Sequence, residues 1–244
     1  VTHRRSESVL TVASYNIHQC VGTDGKRDPH RIARVIRELK PDIIGLQEVD
    51  YRPLGEKKSY QLNYLAEVTG LTPIAGPTIH RPDAVFGNAL LTSGEILSVR
   101  RHDLSVRRRQ PRGAIDADIL VRGRPVRAIV THLGLSGRER KKQVLRLLDL
   151  LADKGTFHTL VLGDINEWWP PRFSVRELNA FMGRAFSPRT FPSSWPIFSL
   201  DRIWFSPRGA LTDGGAVKTP LTRVASDHLP VHATVTIPDQ PPLD

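Results

Sequence analysis

A single cysteine, Cys20, stands among 244 residues, so no internal disulfide can form. That fits a reducing compartment and equally a disulfide-free exported protein, and a zinc site built from several thiolates is excluded. Long apolar runs are also missing: no stretch of about 18 apolar residues occurs, so nothing reads as a membrane-spanning helix. The opening VTHRRSESVL has no apolar core of signal-peptide length. The expectation is a cytoplasmic monomer, with Val1 rather than Met at the start, as after loss of an upstream segment. No fixed-period repeat, low-complexity tract or helix-turn-helix pattern supports a solenoid or a transcriptional regulator.

Acidic charge is scarce as well. Asp and Glu number 25 against 35 Lys and Arg, for a net charge of +10. The excess clusters at Arg107, Arg108, Arg109 and Arg112, at Arg122, Arg124 and Arg127, and at Arg138, Arg140, Lys141 and Lys142. Such a field concentrates polyanions. The expected partner is an anionic phosphoester, nucleic acid or anionic lipid, with peripheral membrane contact left open. Plain solubility explains the charge equally well.

What is present is a series of short β-type runs: Val9–Tyr15, Ile43–Gln47, Ala89–Thr92, Ala114–Val121, Val126–Thr131, Thr159–Gly163, Ile203–Phe205 and Val231–Ile237. Several alternate apolar and polar residues, as strands with one wet face do. Helical spacing occupies His30–Lys40, where Ile32, Val35, Ile36 and Leu39 share a face, and also Tyr60–Val68 and Arg138–Leu151. Pro- and Gly-rich Pro73–Pro82, Pro188–Pro196 and Ser206–Pro220 read as long loops, and Asp24-Gly25 as a turn. Strands paired between helices predict two packed sheets covered by helices. One domain is expected over 1–244, its core at about 9–237, with a frayed polar tail from Pro238 to Asp244.

Apolar runs repeatedly end on a residue with chemistry: Asn16 after VASY, Glu48 after IIGLQ, His132 after AIVT, Asp164 and Asn166 after LVLG, and Asp201 beside IWF. Ser226-Asp227-His228 precedes the last strand. Any one of these would ordinarily cap a turn; six in one chain point further. Glu48, Asp164 and Asp227 are hard oxygen ligands suited to Mg²⁺ or Mn²⁺. Asn16 and Asn166 can donate to anionic oxygens, His132 and His228 titrate near neutrality, and Asp201 can fix an imidazole tautomer. Together they are the parts for phosphoester hydrolysis.

The set SYNIH, LQEVD, GNALL, THL, GDIN, LDRI and SDHLPV, in this order from about Leu10 to Ile237, resembles the endonuclease/exonuclease/phosphatase superfamily, the DNase I-like hydrolases. The resemblance implies an α/β fold: a four-layered α/β sandwich, two mixed and mostly antiparallel sheets flanked by helices. It implies Glu48 as principal metal ligand, aided by Asn16 and Asp227, with Mg²⁺ or Mn²⁺ as cofactor. Asp164 would orient or deprotonate the attacking water, and Asn166 would bind phosphate oxygens. His228, polarised by Asp201, would act as base or as stabiliser of the pentacoordinate phosphorane. His132 would be an acid for the leaving group. Asn88, Arg112 and Trp168 are candidate phosphate or substrate contacts. Their plainer readings are a turn after Gly87, a surface charge, and packing under a loop.

Branch-specific patterns are missing. Asn16-Ile17-His18-Gln19-Cys20 and Gln47-Glu48-Val49-Asp50 depart from the abasic-site endonuclease patterns, Leu200-Asp201-Arg202-Ile203 shares only Asp-Arg with the inositol-phosphatase segment, and the disulfide cysteines of DNase I are lacking. The expected function is a metal-dependent phosphodiester hydrolase acting on nucleic acid or a phospholipid headgroup by in-line water attack. The alternatives are a phosphomonoesterase on a small polyphosphorylated substrate and an inactive anion-binding relative.

Overall fold

The computed structural model describes residues 8–51, 53–54, 59–81, 84–153, 158–168 and 173–237. The chain runs β1 (Ser8–Asn16), α1 (Pro29–Leu39), β2 (Ile43–Asp50), a small ladder of β3 (Pro53–Leu54) and β4 (Ser59–Tyr60), and α2 (Gln61–Thr69). It continues through β5 (Thr72–Arg81), β6 (Ala84–Thr92), β7 (Glu95–Asp103), β8 (Gly113–Val121), β9 (Arg124–His132) and α3 (Gly137–Ala152). Then come β10 (Thr159–Asp164), α4 (Phe173–Met182), β11 (Asp201–Ser206), β12 (Leu211–Ala216), α5 (Pro220–Ala225) and β13 (Val231–Ile237).

One sheet has the order β12-β13-β1-β2-β6-β5, the other β11-β10-β9-β8-β7. Every neighbouring pair is antiparallel except β1/β2 and β9/β10, one parallel pair within each sheet. Leu10 and Val12 of β1, Val126, Ala128 and Val130 of β9, and Leu160 and Leu162 of β10 meet between the sheets. The intervening Ala13 and Tyr15 pack outward under α1 and α2, while Ile129 and Val161 pack under α3 and α4. Four layers result, the expected sandwich. The central strands are apolar on both faces because both faces are covered. The one-wet-face alternation belongs to β13, where Val231, Ala233, Val235 and Ile237 are buried and the residues between them are half-buried.

The three expected helices form. Asp28 Oδ1 accepts from Arg31 N at 3.2 Å to cap α1, Pro29 opens it, and Lys40 in the left-handed region (φ 46°) ends it before Pro41. Two expected loops contain strands instead. Thr72–Arg81 is β5 and Leu211–Ala216 is β12, and each lies at an edge of its sheet. An edge strand tolerates Pro73 and Pro77 because a proline there need not donate to a neighbour, and β12 shifts register between Leu211 and Asp213 before Gly214 and Gly215 pair regularly with Ala233 and His232. Thr23–Gly25 turns as expected. Trp169, Pro82 and the tail Pro238–Asp244 lie outside the described residues.

Candidate active site

The parallel pairs decide where chemistry can gather. In a parallel pair both strands end at the same sheet edge. Asn16 ends β1, Glu48 lies near the end of neighbouring β2, His132 ends β9 and Asp164 ends β10. Asp201 starts β11 opposite Asp164, and Asp227-His228 leads into β13, whose Val231 pairs with Ser14. Side-chain alternation brings most of these inward. Asn16, His132, Asp164 and Asp201 continue the register of the inter-sheet residues Val12, Val130, Leu162 and Ile203, so they crown the apolar core.

Glu48 is out of that register. Leu46 and Val49 both pack outward under the helices, which would send residue 48 toward the outer face. Between them β2 carries one residue more than β6: Leu46 pairs with Ala89 but Val49 pairs with Gly87. This bulge, with Glu48 in the left-handed region at φ 58°, returns the carboxylate to the inner side. There Glu48 Oε1 accepts from Asn16 Nδ2 at 3.1 Å. Asn166 is also left-handed, at φ 52°. Such backbone is rare outside glycine, and its concentration here is typical of functional sites.

Asp164 Oδ2 is the hub. It lies 3.1 Å from Asn16 Nδ2, 3.5 Å from His132 Nε2 and 3.8 Å from His228 Nε2. Its other oxygen accepts from Asn166 N at 2.9 Å. Asn166 Nδ2 lies 3.0 Å from both Leu133 O and His132 Nε2, so both its hydrogens have acceptors and the His132 proton belongs on Nδ1. Asp201 Oδ2 faces His228 Nδ1 at 2.8 Å and accepts from Thr190 Oγ1 at 2.6 Å. Thr190 carries no signal of its own in the sequence, since it belongs to a loop with no motif around it. Asp227 turns toward His18 Nδ1 (3.8 Å) and accepts from Ser226 Oγ (3.3 Å), while His18 N donates to Asn16 Oδ1 at 3.1 Å.

Burial lifts the Asp164 carboxyl above its usual range, and the Asp201 charge adds to the effect against the opposing pull of His228. Burial works against a charged His228 ring, but Asp201 and then Asp164 outweigh it and hold its pKa well up. His132 is driven well below its usual value by burial, then by Arg112 and His228, and so stays neutral. One imidazole is thus cationic and the other neutral.

A cleft of about 180 Å³ opens beside this cluster, lined by Glu48, Asn88, Arg112 and His132 among others. Arg112 is half-buried, its guanidinium depressed by burial against the pull of Asp164 and Glu48, and its Nε has no partner among the described residues. Asn88 sits within β6 rather than in a turn, and its Nδ2 donates to Gly113 O at 3.0 Å, tying the two sheets. Trp168 is 39% exposed and packs edge-on against Phe191 and Phe198; Phe191 in turn lies 4.8 Å from the His228 ring.

For a cation, Asp164, Asp201 and His228 offer ligand atoms within 4.8 Å of one another. His228 Nδ1 and Asp201 Oδ2, however, already satisfy each other. Glu48 and Asp164 are different: two carboxylates from different sheets converge on one amide, Asn16 Nδ2. That oxygen-rich set suits a hard divalent ion.

Much of the basic excess proves structural. Arg127 and Arg100 clasp buried Asp116, Arg122 pairs with Asp42 at 2.9 Å, and buried Arg140 donates to Gly134 O and Leu135 O. Arg107, Arg108, Arg109, Arg138, Lys141 and Lys142 remain exposed. No helix among the described residues is long and apolar enough to cross a membrane.

The model of the endonuclease/exonuclease/phosphatase family matches residues 13–228. The chain belongs to this family. An Escherichia coli relative, the uncharacterized protein YbhP, is 26% identical over 251 residues, covering 96% of this chain and 98% of that one. A family structure from Beutenbergia cavernae superposes with a TM-score of 0.76 at 22% identity, over 95% of this chain and 72% of the other. A mannosyl-6-phosphatase from Bacteroides thetaiotaomicron gives 0.70 at 19%, over 93% and 99%. Both likenesses confirm the family sandwich, and membership makes the chain a hydrolase of the phosphoester-cleaving type.

Proposed function

We propose that the chain is a divalent-metal-dependent phosphodiesterase acting on nucleic acid or a phospholipid headgroup. The observation that carries this is the hub at Asp164, with a carboxylate-paired His228 on one side and His132 on the other. Glu48 and Asn16 would hold Mg²⁺ or Mn²⁺, with Asp227 contributing from the rim; Asp227, turned to His18, is the member with least geometric support. The ion supplies charge neutralisation at the phosphate oxygens.

The remaining roles fall to the chain itself. Asp164 orients and deprotonates the water for in-line attack. Its carboxylate reaches both histidines, and its position is fixed by Asn166 N and Asn16. The Arg112 guanidinium, which lines the cleft, offers donors to phosphate oxygens, whereas Asn166 would do so only by giving up Leu133 O or His132 Nε2 as acceptor. His228, held between Asp201 and Asp164, stabilises charge on the phosphorane, the second of its two expected roles. His132 Nε2, facing an amide hydrogen, is arranged to take up a proton; it serves as leaving-group acid only after it has gained one. Trp168 lines the approach.

A phosphomonoesterase is the second reading. The small cleft and the fold shared with the mannosyl-6-phosphatase favour it. An inactive relative is disfavoured because every motif position keeps its functional side chain.

Supercoiled-plasmid nicking with Mg²⁺ or Mn²⁺, an EDTA control and Asp164→Ala tests the reading. Metal-dependent nicking lost in the variant establishes a nuclease. Hydrolysis of phosphatidylcholine vesicles or of p-nitrophenyl phosphate, without nicking, moves the substrate to lipid or monoester. Folded, metal-loaded protein inactive on all three overturns the proposal.

A further inference from the structure

A second cavity, of about 290 Å³, is lined by Arg184, Arg189, Arg202, Trp168 and Asn179. Arg202 follows Asp201 on β11, so alternation sends it to the opposite face of the strand. It is only 3% exposed, yet among the described residues its Nη1 makes a 3.3 Å contact to Leu200 O and its buried Nε finds no acceptor. Burial draws its pKa down to about 10, so it remains cationic at neutral pH. A buried charged donor without an acceptor is costly and needs a reason.

Arg184 and Arg189 are exposed and make no ion pair among the described residues. One carboxylate shares the lining, that of Glu167, whose Oε2 accepts from Val175 N at 2.9 Å. Three guanidinium groups against one acid leave a cationic cavity. Asn179 Oδ1 accepts from Trp204 Nε1 (2.8 Å) and Ala185 N (3.2 Å), which leaves its amide hydrogens as donors. Trp168, two residues beyond Asn166, lines this cavity and packs edge-on against Phe191, which lies 4.8 Å from the His228 ring.

We propose that this cavity is a subsite for a second phosphate on the substrate, with the group joining it to the scissile phosphoester laid over Trp168. This rests on the hydrolase reading of the neighbouring site. The second phosphate could be the next backbone phosphate of a nucleic acid or a further monoester of a small polyphosphorylated molecule; the recognising chemistry is the same.

R184E/R189E, altering two exposed residues, is the test variant. It is compared with wild type in Mn²⁺ on two substrate pairs. One is the dithymidine dinucleotide with and without a 5′-phosphate, the other thymidine 3′,5′-bisphosphate and thymidine 5′-monophosphate. In at least one pair, KM for the member with the extra phosphate rises about tenfold or more at unchanged kcat, while its partner shifts less than about twofold. The pair that splits identifies the source. Equal shifts within each pair, or none, overturn the subsite. A second readout is Trp fluorescence of the folded Asp164→Asn protein titrated with inorganic pyrophosphate in metal-free buffer. A saturable change is expected, lost in Trp168→Phe and weakened about tenfold by R184E/R189E; no change, or one indifferent to the arginines, refutes the subsite. If that binding behaves as expected while wild type cleaves no phosphoester, the anion site stands and the hydrolase reading falls.

Discussion

Asp201→Asn isolates one carboxylate charge with almost no change of shape. In the wild type its Oδ2 faces His228 Nδ1 at 2.8 Å, fully buried, with Thr190 Oγ1 on the same oxygen. At an effective dielectric of about 20, unit charges 2.8 Å apart attract by about 6 kcal/mol, a ceiling on what the substitution can remove from a cationic His228. At about 1.4 kcal/mol per decade that ceiling is a little over four decades of rate. Asparagine retains a hydrogen bond but can present either end of its amide, so part of the loss is the wrong imidazole tautomer. The expected fall in kcat/KM is about 10²- to 10⁴-fold, carried by kcat. Bis(p-nitrophenyl) phosphate hydrolysis in Mn²⁺ measures it, with a thermal melt showing that the variant is folded. A folded variant within about threefold of wild type would refute the idea that His228 works through Asp201.

Three further outcomes follow from the same geometry. Mg²⁺ or Mn²⁺ at about 100 times its Kd should stabilise the fold by about 2.7 kcal/mol, raising Tm by several degrees; Glu48→Gln should abolish the rise, and a rise unaffected by the variant would place the ion elsewhere. Gly163→Ala, where φ is +154° and a Cβ would stand 1.9 Å from Thr131 O, should cost about 2 kcal/mol or more in urea unfolding and displace Asp164; a neutral result would show that β9 and β10 can part freely. Asp116→Asn should destabilise by about 3–5 kcal/mol, because Arg127 is left buried without its partner. The Asp116 carboxyl is lowered in the fold: burial raises it, but the hydrogen bonds and charges of Arg127 and Arg100 prevail. Its contribution is therefore complete above the unfolded value near 3.8 and declines as pH falls further toward the folded value. Urea midpoints of the two proteins should accordingly converge below about pH 4 and stay apart from pH 5 to 7.

What the sequence revealed, and what it hid, follows from which information is local. Asp164 and Asn166 were legible because an apolar run, a glycine and a polar pair are local signals, and the structure buries both side chains beside His132. The conformation of Glu48 was not legible: the bulge is defined by the count of residues on β6, which β2 does not contain. β5 and β12 were hidden because Pro and Gly mark loops everywhere except at sheet edges. The arginine clusters misled in part, since a run cannot show that Arg127 points at Asp116 and Arg122 at Asp42. Arg202 left one unread trace: an arginine inside the apolar run LDRIWF must be buried, and a buried guanidinium needs acceptors.

The division of the site between the sheets gives the core a functional duty. Asn16 and Glu48 belong to the sheet of β1 and β2; His132, Asp164 and Asp201 belong to the other. Two mostly antiparallel sheets would ordinarily end neighbouring strands at opposite edges, and the single parallel pair in each is what brings both halves to one edge. Their mutual placement then depends on how the sheets pack. Gly45 of β2 lies where a Cβ would come within 1.9 Å of Leu162 Cδ1 and 2.9 Å of Val130 Cγ1. The side chains that carry His132 and Asp164 two residues further on are thus seated against bare backbone of the Glu48 strand, three residues before that carboxylate. Across the join, Asn16 Nδ2 bridges Glu48 to Asp164, at 3.1 Å each way, and Asn88 Nδ2 reaches Gly113 O. A few amide contacts cannot hold two sheets in register, whereas a close-packed apolar interface resists sub-ångström slip. Since misplacement by about 1 Å can cost about 10²-fold in rate, the inter-sheet core is the part of the fold that sets the distance between the two halves of the chemistry.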